Sequence, residues 1–244
     1  MNKLLLLCSV LLTTGCMATS ASTIKYAIDD NTRPQDYSYI TDPTGTFGKV
    51  HRFQITDKCG SSNDCRQNNV RSEIYEEVWE DNRPGETQPS HYWYSWNVYL
   101  PNDYPIQDSG KLLLGQFHSG MCPHISFTSQ GTDHGKLYLE TLEMHGDDCR
   151  ITGRDYVANI NDLKGKWTDF TLEVKWKNND TGLANIWLDN EKVLSYNGRT
   201  LTKHKENRNF LKVGIYQCCN ERAIKPGNAM FTTPKSGPTR ESVQ

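Results

Sequence analysis

The stretch Phe210-Leu-Lys-Val-Gly-Ile-Tyr-Gln217 alternates strictly, with Leu211, Val213 and Ile215 set against Lys212, Gly214 and Tyr216. Successive side chains of an extended chain point to opposite faces, so this octet reads as a strand with one apolar and one polar face. Two other stretches repeat the pattern. Val70-Arg-Ser-Glu-Ile-Tyr75 puts Arg71, Glu73 and Tyr75 on one face. Gly115-Gln-Phe-His-Ser-Gly120 puts Gln116 beside His118, between two glycines that let something approach closely. A plain sandwich has no need of these polar faces. If they adjoin on one concave sheet, they make a groove holding a cation, an amide, an imidazole and a phenol.

Outward from these stretches, short alternating runs recur with Gly, Asn, Asp and Pro between them. Candidate strands are Lys49–Ile55, Val70–Trp79, His91–Leu100, Lys111–Phe117, Ile125–Thr128, Lys136–Leu142, Trp167–Trp176, Leu183–Leu188, Glu191–Tyr196 and Phe210–Tyr216. Asp189-Asn190 between two of them is a hairpin turn signal. Few stretches hold a helical period. Many strands at this spacing predict an all-β sandwich, jelly roll or barrel. No repeat or linker divides the chain of 244 residues, so one domain is expected over 49–226. Residues 17–48 are polar and turn-rich and read as an irregular tether. Residues 227–244 read as a frayed, flexible tail.

The first residues carry an address. Met1-Asn-Lys3 is a short basic region and Leu4 to Leu12 an apolar one, too short to span a bilayer as a mature helix. Thr13-Thr14-Gly15-Cys16 then resembles a bacterial lipoprotein signal, in which residues 1–16 form the signal and Cys16 receives the lipid. Cleavage near Ala18 or Ala21 is the alternative. Export follows either way, to the periplasm, the outer membrane or the extracellular space, and any membrane contact would run through a lipid on Cys16.

Of eight cysteines, setting aside Cys8 and Cys16 leaves Cys59, Cys65, Cys122, Cys149, Cys218 and Cys219. An even count in an exported chain fits disulfides. Cys59 and Cys65 bracket a small stapled loop, whereas Cys218 and Cys219 would point to opposite faces of a strand and are not expected to share one bridge. Zinc has no C-x-x-C pair to support it. A net charge of −2 supplies no basic field to gather nucleic acid or a heavily sulfated polymer.

Tyr92-Trp93-Tyr94-Ser95-Trp96-Asn97-Val98-Tyr99 places aromatic rings on both faces of one strand. Such rings are either sandwich core or the lining of a carbohydrate groove, where flat faces stack on sugar C–H surfaces. Asp133-His134 and His145-Gly-Asp-Asp148 read as polar hairpin loops, with oxygen ligation of calcium as the other reading.

The three polar faces suit one chemistry, β-elimination on a polyuronate. The C5 proton of a uronic acid is α to a carboxylate and poorly acidic while that carboxylate keeps its charge. Arg71 and Gln116 can stabilise the charge that builds as the enolate-like intermediate forms. His118 or Tyr216 can take the proton, and Tyr216 can protonate the departing O4. Lys212 on the same face would favour the phenolate of Tyr216. The scheme needs neither metal nor cofactor.

Arg-Ser-Glu, Gln-x-His and Lys-x-Gly-x-Tyr, in this order, resemble the signature of jelly-roll polysaccharide lyases. The alginate-lyase branch has R-S/T-E-x-R, Q-I/V-H and Y-F-K-A-G-x-Y-x-Q. Tyr92 to Pro101, Gly165-Lys-Trp-Thr-Asp-Phe170 and Ile186-Trp-Leu-Asp-Asn190 are more similar to the heparin-lyase-I and glucuronan-lyase branch. The resemblance spans about Val70 to Gln217. It departs at Tyr75, which stands where the alginate pattern has its second Arg, and at Cys218-Cys219 after the tyrosine. It implies a concanavalin-like jelly roll of two antiparallel sheets. It also implies catalytic roles for Arg71, Gln116, His118 and Tyr216, with Glu73, Tyr75 and Lys212 binding substrate. A monomer acting on glucuronan or alginate, with heparin less suited, is expected. A jelly-roll glycoside hydrolase would need two carboxylates flanking the bond, and E-x-D-x-E-type strands are not seen here. A non-catalytic carbohydrate-binding domain would need the aromatics but not the His118 and Tyr216 pair.

Overall fold

The computed structural model describes residues 25–56, 58–77, 90–146, 148–202, 209–218 and 225–244. In chain order the first strands are β1 (Tyr26–Ile28), β2 (Tyr37–Thr41), β3 (Lys49–Ile55), β4 (Val70–Glu76) and β5 (His91–Tyr99). Next come β6 (Lys111–His118), β7 (Pro123–Gln130), β8 (Lys136–His145), β9 (Asp148–Asn159) and β10 (Trp167–Lys175). The last are β11 (Leu183–Leu188), β12 (Glu191–Asn197), β13 (Phe210–Cys218), β14 (Gly227–Phe231) and β15 (Lys235–Gly237). Among the described residues two short α-helices, α1 (Ser62–Arg66) and α2 (Ile160–Leu163), sit in connections.

Among the described residues the strands form two antiparallel sheets, which is a jelly-roll sandwich. One runs β1-β4-β13-β6-β7-β8-β9, and the other β12-β11-β10-β5-β14-β3-β2 with β15 beside β5. Strict alternation turns Leu211, Val213 and Ile215 of β13, Ile74 of β4 and Tyr94 and Trp96 of β5 into the core. Removing these side chains from water is the main driving term for closing one sheet on the other. Trp96 stacks on Phe170 and meets Phe127 edge-on across the sandwich.

The termini of the domain differ from expectation. The supposed tether supplies β1, paired with β4, and β2, paired with β3. The supposed tail supplies β14, which fits between β3 and β5, and β15 beside β5. Ala229 and Phe231 are fully buried, so polar, turn-rich composition concealed strands whose pairing comes from distant partners. Strand β9 was also unanticipated, because its exposed polar residues lack alternation. The expected leader 1–16, the lipid site Cys16 and the second cysteine of Cys218-Cys219 lie outside the described residues.

Among the described residues two bridges have both partners, Cys59–Cys65 and Cys122–Cys149, and Cys218 is disulfide-bonded as well. The Tyr92–Tyr99 aromatics belong to the sheet opposite the polar strands. Tyr92, Tyr94 and Trp96 are core, and Trp93 packs against Trp187 on the outer face. None of these rings lines the groove formed by the polar strands, which corrects the carbohydrate-groove reading of that stretch.

Candidate active site

The three polar strands are neighbours, in the order β4-β13-β6. Register sets their side chains in rows: Arg71 opposite Tyr216, Tyr75 opposite Lys212, and Lys212 opposite Gln116. All face outward from the core, into a groove of about 740 Å³ lined by Arg71, Tyr75, Gln116, His118, Lys212 and Tyr216 among others.

Simple alternation from Leu112 and Leu114, both core residues, would send Gln116 inward. It points outward because the register slips between Leu113 and Gly115 against β7, and between Val213 and Tyr216 against β13. Such bulges re-aim side chains and favour functional sites. Gly214 is part of this arrangement. Its φ is +142°, and a Cβ there would meet the Ser72 carbonyl oxygen at 2.2 Å, so no other residue fits between Lys212 and Tyr216.

Arg71 is held from behind. Its Nε and one Nη donate to the two oxygens of Asp64 at 2.8 and 2.7 Å, and its other Nη lies 3.7 Å from Glu73. Burial acts against its charge, but Asp64 and Glu73 more than compensate and raise its pKa above the usual arginine value. Glu73 is a buried hub. It accepts from Gln116 Nε2 at 2.9 Å and stands 3.3 Å from Lys212 Nζ. Lys212 also contacts Asp29 at 2.5 Å. Burial works to lower the Lys212 ammonium, but Glu73 and Asp29 outweigh it and hold the pKa above normal. Glu73 therefore orients its neighbours from beneath the groove rather than meeting a substrate, and Lys212 is largely spent on two carboxylates.

The two candidate proton carriers differ in state. Burial, with Arg71 opposing it, pushes the Tyr216 phenol up to about 12, so the ring is neutral at ordinary pH. Arg71, 4.1 Å from the ring centre, is the cation beside it. Lys212 was expected in that role, but its ion pairs take it elsewhere. Burial, then Lys212 and Arg71, lower His118 to about 3. Its Nδ1 accepts the Gly120 N–H at 2.9 Å. A neutral imidazole with an accepting Nδ1 carries its proton on Nε2, so His118 presents a hydrogen-bond donor at that atom.

Among the described residues, the charge lining the groove is balanced. The lining cations Arg71, Lys111 and Lys212 face the lining carboxylates Asp29, Asp30 and Glu140. Lys111 is 3.3 Å from Glu140. Phe210 and Tyr75, rings 6.3 Å apart, form an aromatic wall. Arg71, Gln116 and His118 can together bind one carboxylate, with the Tyr216 hydroxyl at hand for proton transfer. Sequence reasoning missed Asp64, Asp29 and Phe210, and it read Gly120 only as leaving room for a close approach, not as a donor to His118. Asp64 was visible only as one residue of the stapled loop, and no pattern announced that it would reach Arg71. Asp133, considered for calcium, pairs with Arg154.

A family model described as "Polysaccharide lyase" matches residues 16–237. No curated protein matches the chain. Among solved structures, an endo-β-1,4-glucuronan lyase from the fungus Trichoderma reesei is similar, at 16% identity and a TM-score of 0.64, covering 89% of this chain and 97% of that one. A family 7 alginate lyase in complex with substrate shares 15% identity with a TM-score of 0.53, over 82% and 80% of the two chains. A glycoside hydrolase family 131 catalytic domain from Coprinopsis cinerea shares 12% identity with a TM-score of 0.56, over 90% and 85%. At such identities these likenesses show the fold alone, and the fold hosts both lyases and hydrolases.

Proposed function

The chain belongs to the polysaccharide lyase family and is an enzyme of that class, and from this premise we propose that it cleaves an uronate-containing polysaccharide by β-elimination in the groove over β4, β13 and β6. The observation that carries the reading is the register of these strands, which groups Arg71, Gln116, His118 and Tyr216 on one face. Arg71, Gln116 and the Nε2–H of His118 bind the substrate carboxylate and stabilise the enolate-like charge as the C5–H bond breaks. Tyr216, as phenolate, takes the C5 proton, and the resulting phenol gives it to O4 as the C4–O4 bond breaks. The C4–C5 double bond forms, and Tyr216 returns to its starting state. The His118 tautomer favours Tyr216 over His118 as the base.

The substrate is an unsulfated polyuronate such as glucuronan or alginate. The balanced charge of the groove supports this over a heparin-type polymer, which would favour a dense basic cleft. The enzyme acts as a monomer after export, tethered through a lipid on Cys16, a reading supported by the basic and apolar leader ending in Gly15-Cys16. Incubation with glucuronan, alginate, heparin and hyaluronan tests the function. Ultraviolet absorbance of an unsaturated product on a plain polyuronate is expected. Reducing ends without that absorbance would mean hydrolysis, and neither would mean binding alone. Mass spectrometry of the native N-terminus tests the anchor, and a free N-terminus beyond Cys16 would refute it.

A further inference from the structure

We propose that Asp64 and the Gly120 amide are positioning groups for Arg71 and His118, and that the disulfides Cys59–Cys65 and Cys122–Cys149 keep them in place. The proposal rests on the reading of this groove as a lyase site. Of these bridges, the second puts Cys149 in the groove lining, and the first closes a loop whose Asn63 lines it. Neither joins the two sheets, and each closes a loop that touches one of the substrate-facing side chains.

On the first side, Asp64 is fully buried at the centre of α1, inside the loop closed by Cys59 and Cys65. Ser61 caps this helix by accepting from the Asp64 N–H, and the Asp64 carbonyl accepts from the Asn69 N–H at 2.9 Å. The segment is too short to be stable as an isolated helix, so the bridge is what fixes the carboxylate. Its two oxygens take Nε and one Nη of Arg71 in a fork-to-fork pair. That pairing sets the plane of the guanidinium and leaves its remaining N–H groups for the groove.

On the second side, the turn after His118 is drawn shut at Cys122. The Ser119 N–H and hydroxyl both donate to the Cys122 carbonyl, at 3.2 and 2.5 Å. Cys122 is bridged to Cys149 at the start of β9. Within the turn, Gly120 holds a φ of +95° and donates its N–H to His118 Nδ1. This single amide selects the Nε2–H tautomer. An oxidising compartment therefore does more than stabilise the protein, because it completes the orientation of Arg71 and His118.

The test uses the full oxidised chain and three variants: Asp64→Asn, Cys59→Ser with Cys65→Ser, and Cys122→Ser with Cys149→Ser. Nitrogen-15 NMR follows the Arg71 Nε–H, assigned by its loss in Arg71→Lys, and the His118 ring nitrogens. Initial rates give kcat and KM. In Asp64→Asn and the first bridge variant, the Arg71 Nε–H should lose its protection from exchange. Their kcat should fall about 10–100-fold, as expected for a misplaced binding group. Combining the two should cost no more than either alone, because they act through one pair. In the second bridge variant His118 should shift toward the Nδ1–H tautomer. Asp64→Asn preserves shape, so it carries the test if a bridge variant does not fold. A protected Arg71 Nε–H with unchanged kcat in Asp64→Asn, or an unchanged His118 tautomer without the second bridge, would overturn the proposal. A wild-type chain that makes no unsaturated product would defeat the lyase reading, while the NMR signals would still decide whether the clamps exist.

Discussion

Arg71 and Tyr216 face each other across β4 and β13, with the guanidinium carbon 4.1 Å from the centre of the phenol ring. A delocalised cation over the π-face attracts the ring and favours phenolate over phenol. Burial pulls the other way and prevails, at about 12. Tyr216 thus rests as a phenol beside the charge that would stabilise its base form.

The lyase rate should therefore rise with pH across roughly 7–10, since the phenolate fraction grows toward a pKa of about 12. His118, already neutral above about 3, should contribute no acid limb in the neutral range. Initial rates in buffers of constant ionic strength check this. A rate that falls above pH 7 while the protein remains folded would contradict it.

His118 acts as a hydrogen-bond donor in this account, so an amide should replace it in part. His118→Gln should lose about 10-fold in kcat and His118→Ala about 100-fold or more, within the range for preorganised donors. Equal losses in the two variants would point to His118 as the base.

Glu73 tests the buried hub. Glu73→Ala removes the partner of Gln116 and one partner each of Lys212 and Arg71. Breaking a buried pair this way should cost about 3 kcal/mol, visible as a lowered denaturant midpoint with an unchanged slope. Glu73→Gln, which still accepts from Gln116, should cost less.

Glu76 gives a prediction about stability. It points into the sandwich, and burial raises its carboxyl from 4.5 to about 7 despite the Leu211 N–H that it accepts. The folded state thus holds its proton more tightly than the unfolded state. Stability is fully present below pH 4.5 and is lost as pH rises to about 7, by about 3 kcal/mol. Glu76→Gln should flatten this loss in urea melts between pH 5 and 8. An unchanged pH dependence would refute the assignment.

The three polar strands were legible because each carries period-two alternation within a few residues. Arg71, Gln116, His118 and Tyr216 were read from them as one candidate set, since neighbours two apart share a face whatever the fold. The roles of Glu73 and Lys212 were not, because alternation gives the face but not depth. Glu73 lies beneath the groove, and the Lys212 ammonium in its wall is bound to both Glu73 and Asp29. The outward turn of Gln116 depends on a bulge that strict alternation from Leu112 does not reveal. β14 and β1 stayed hidden for another reason: their pairing partners are far along the chain, and their own residues carry little pattern. Asp64 combines both limits, reaching Arg71 through a loop that only tertiary structure aims.

Tyr216→Phe is the most direct measurement. It keeps the ring under Arg71 and removes only the hydroxyl proposed to take and return the proton. With wild type shown to release unsaturated product from a polyuronate, the variant should lose roughly 10²–10⁴-fold in initial rate, with its circular dichroism and thermal midpoint unchanged. A folded Tyr216→Phe protein that releases unsaturated product at near the wild-type rate would contradict the account.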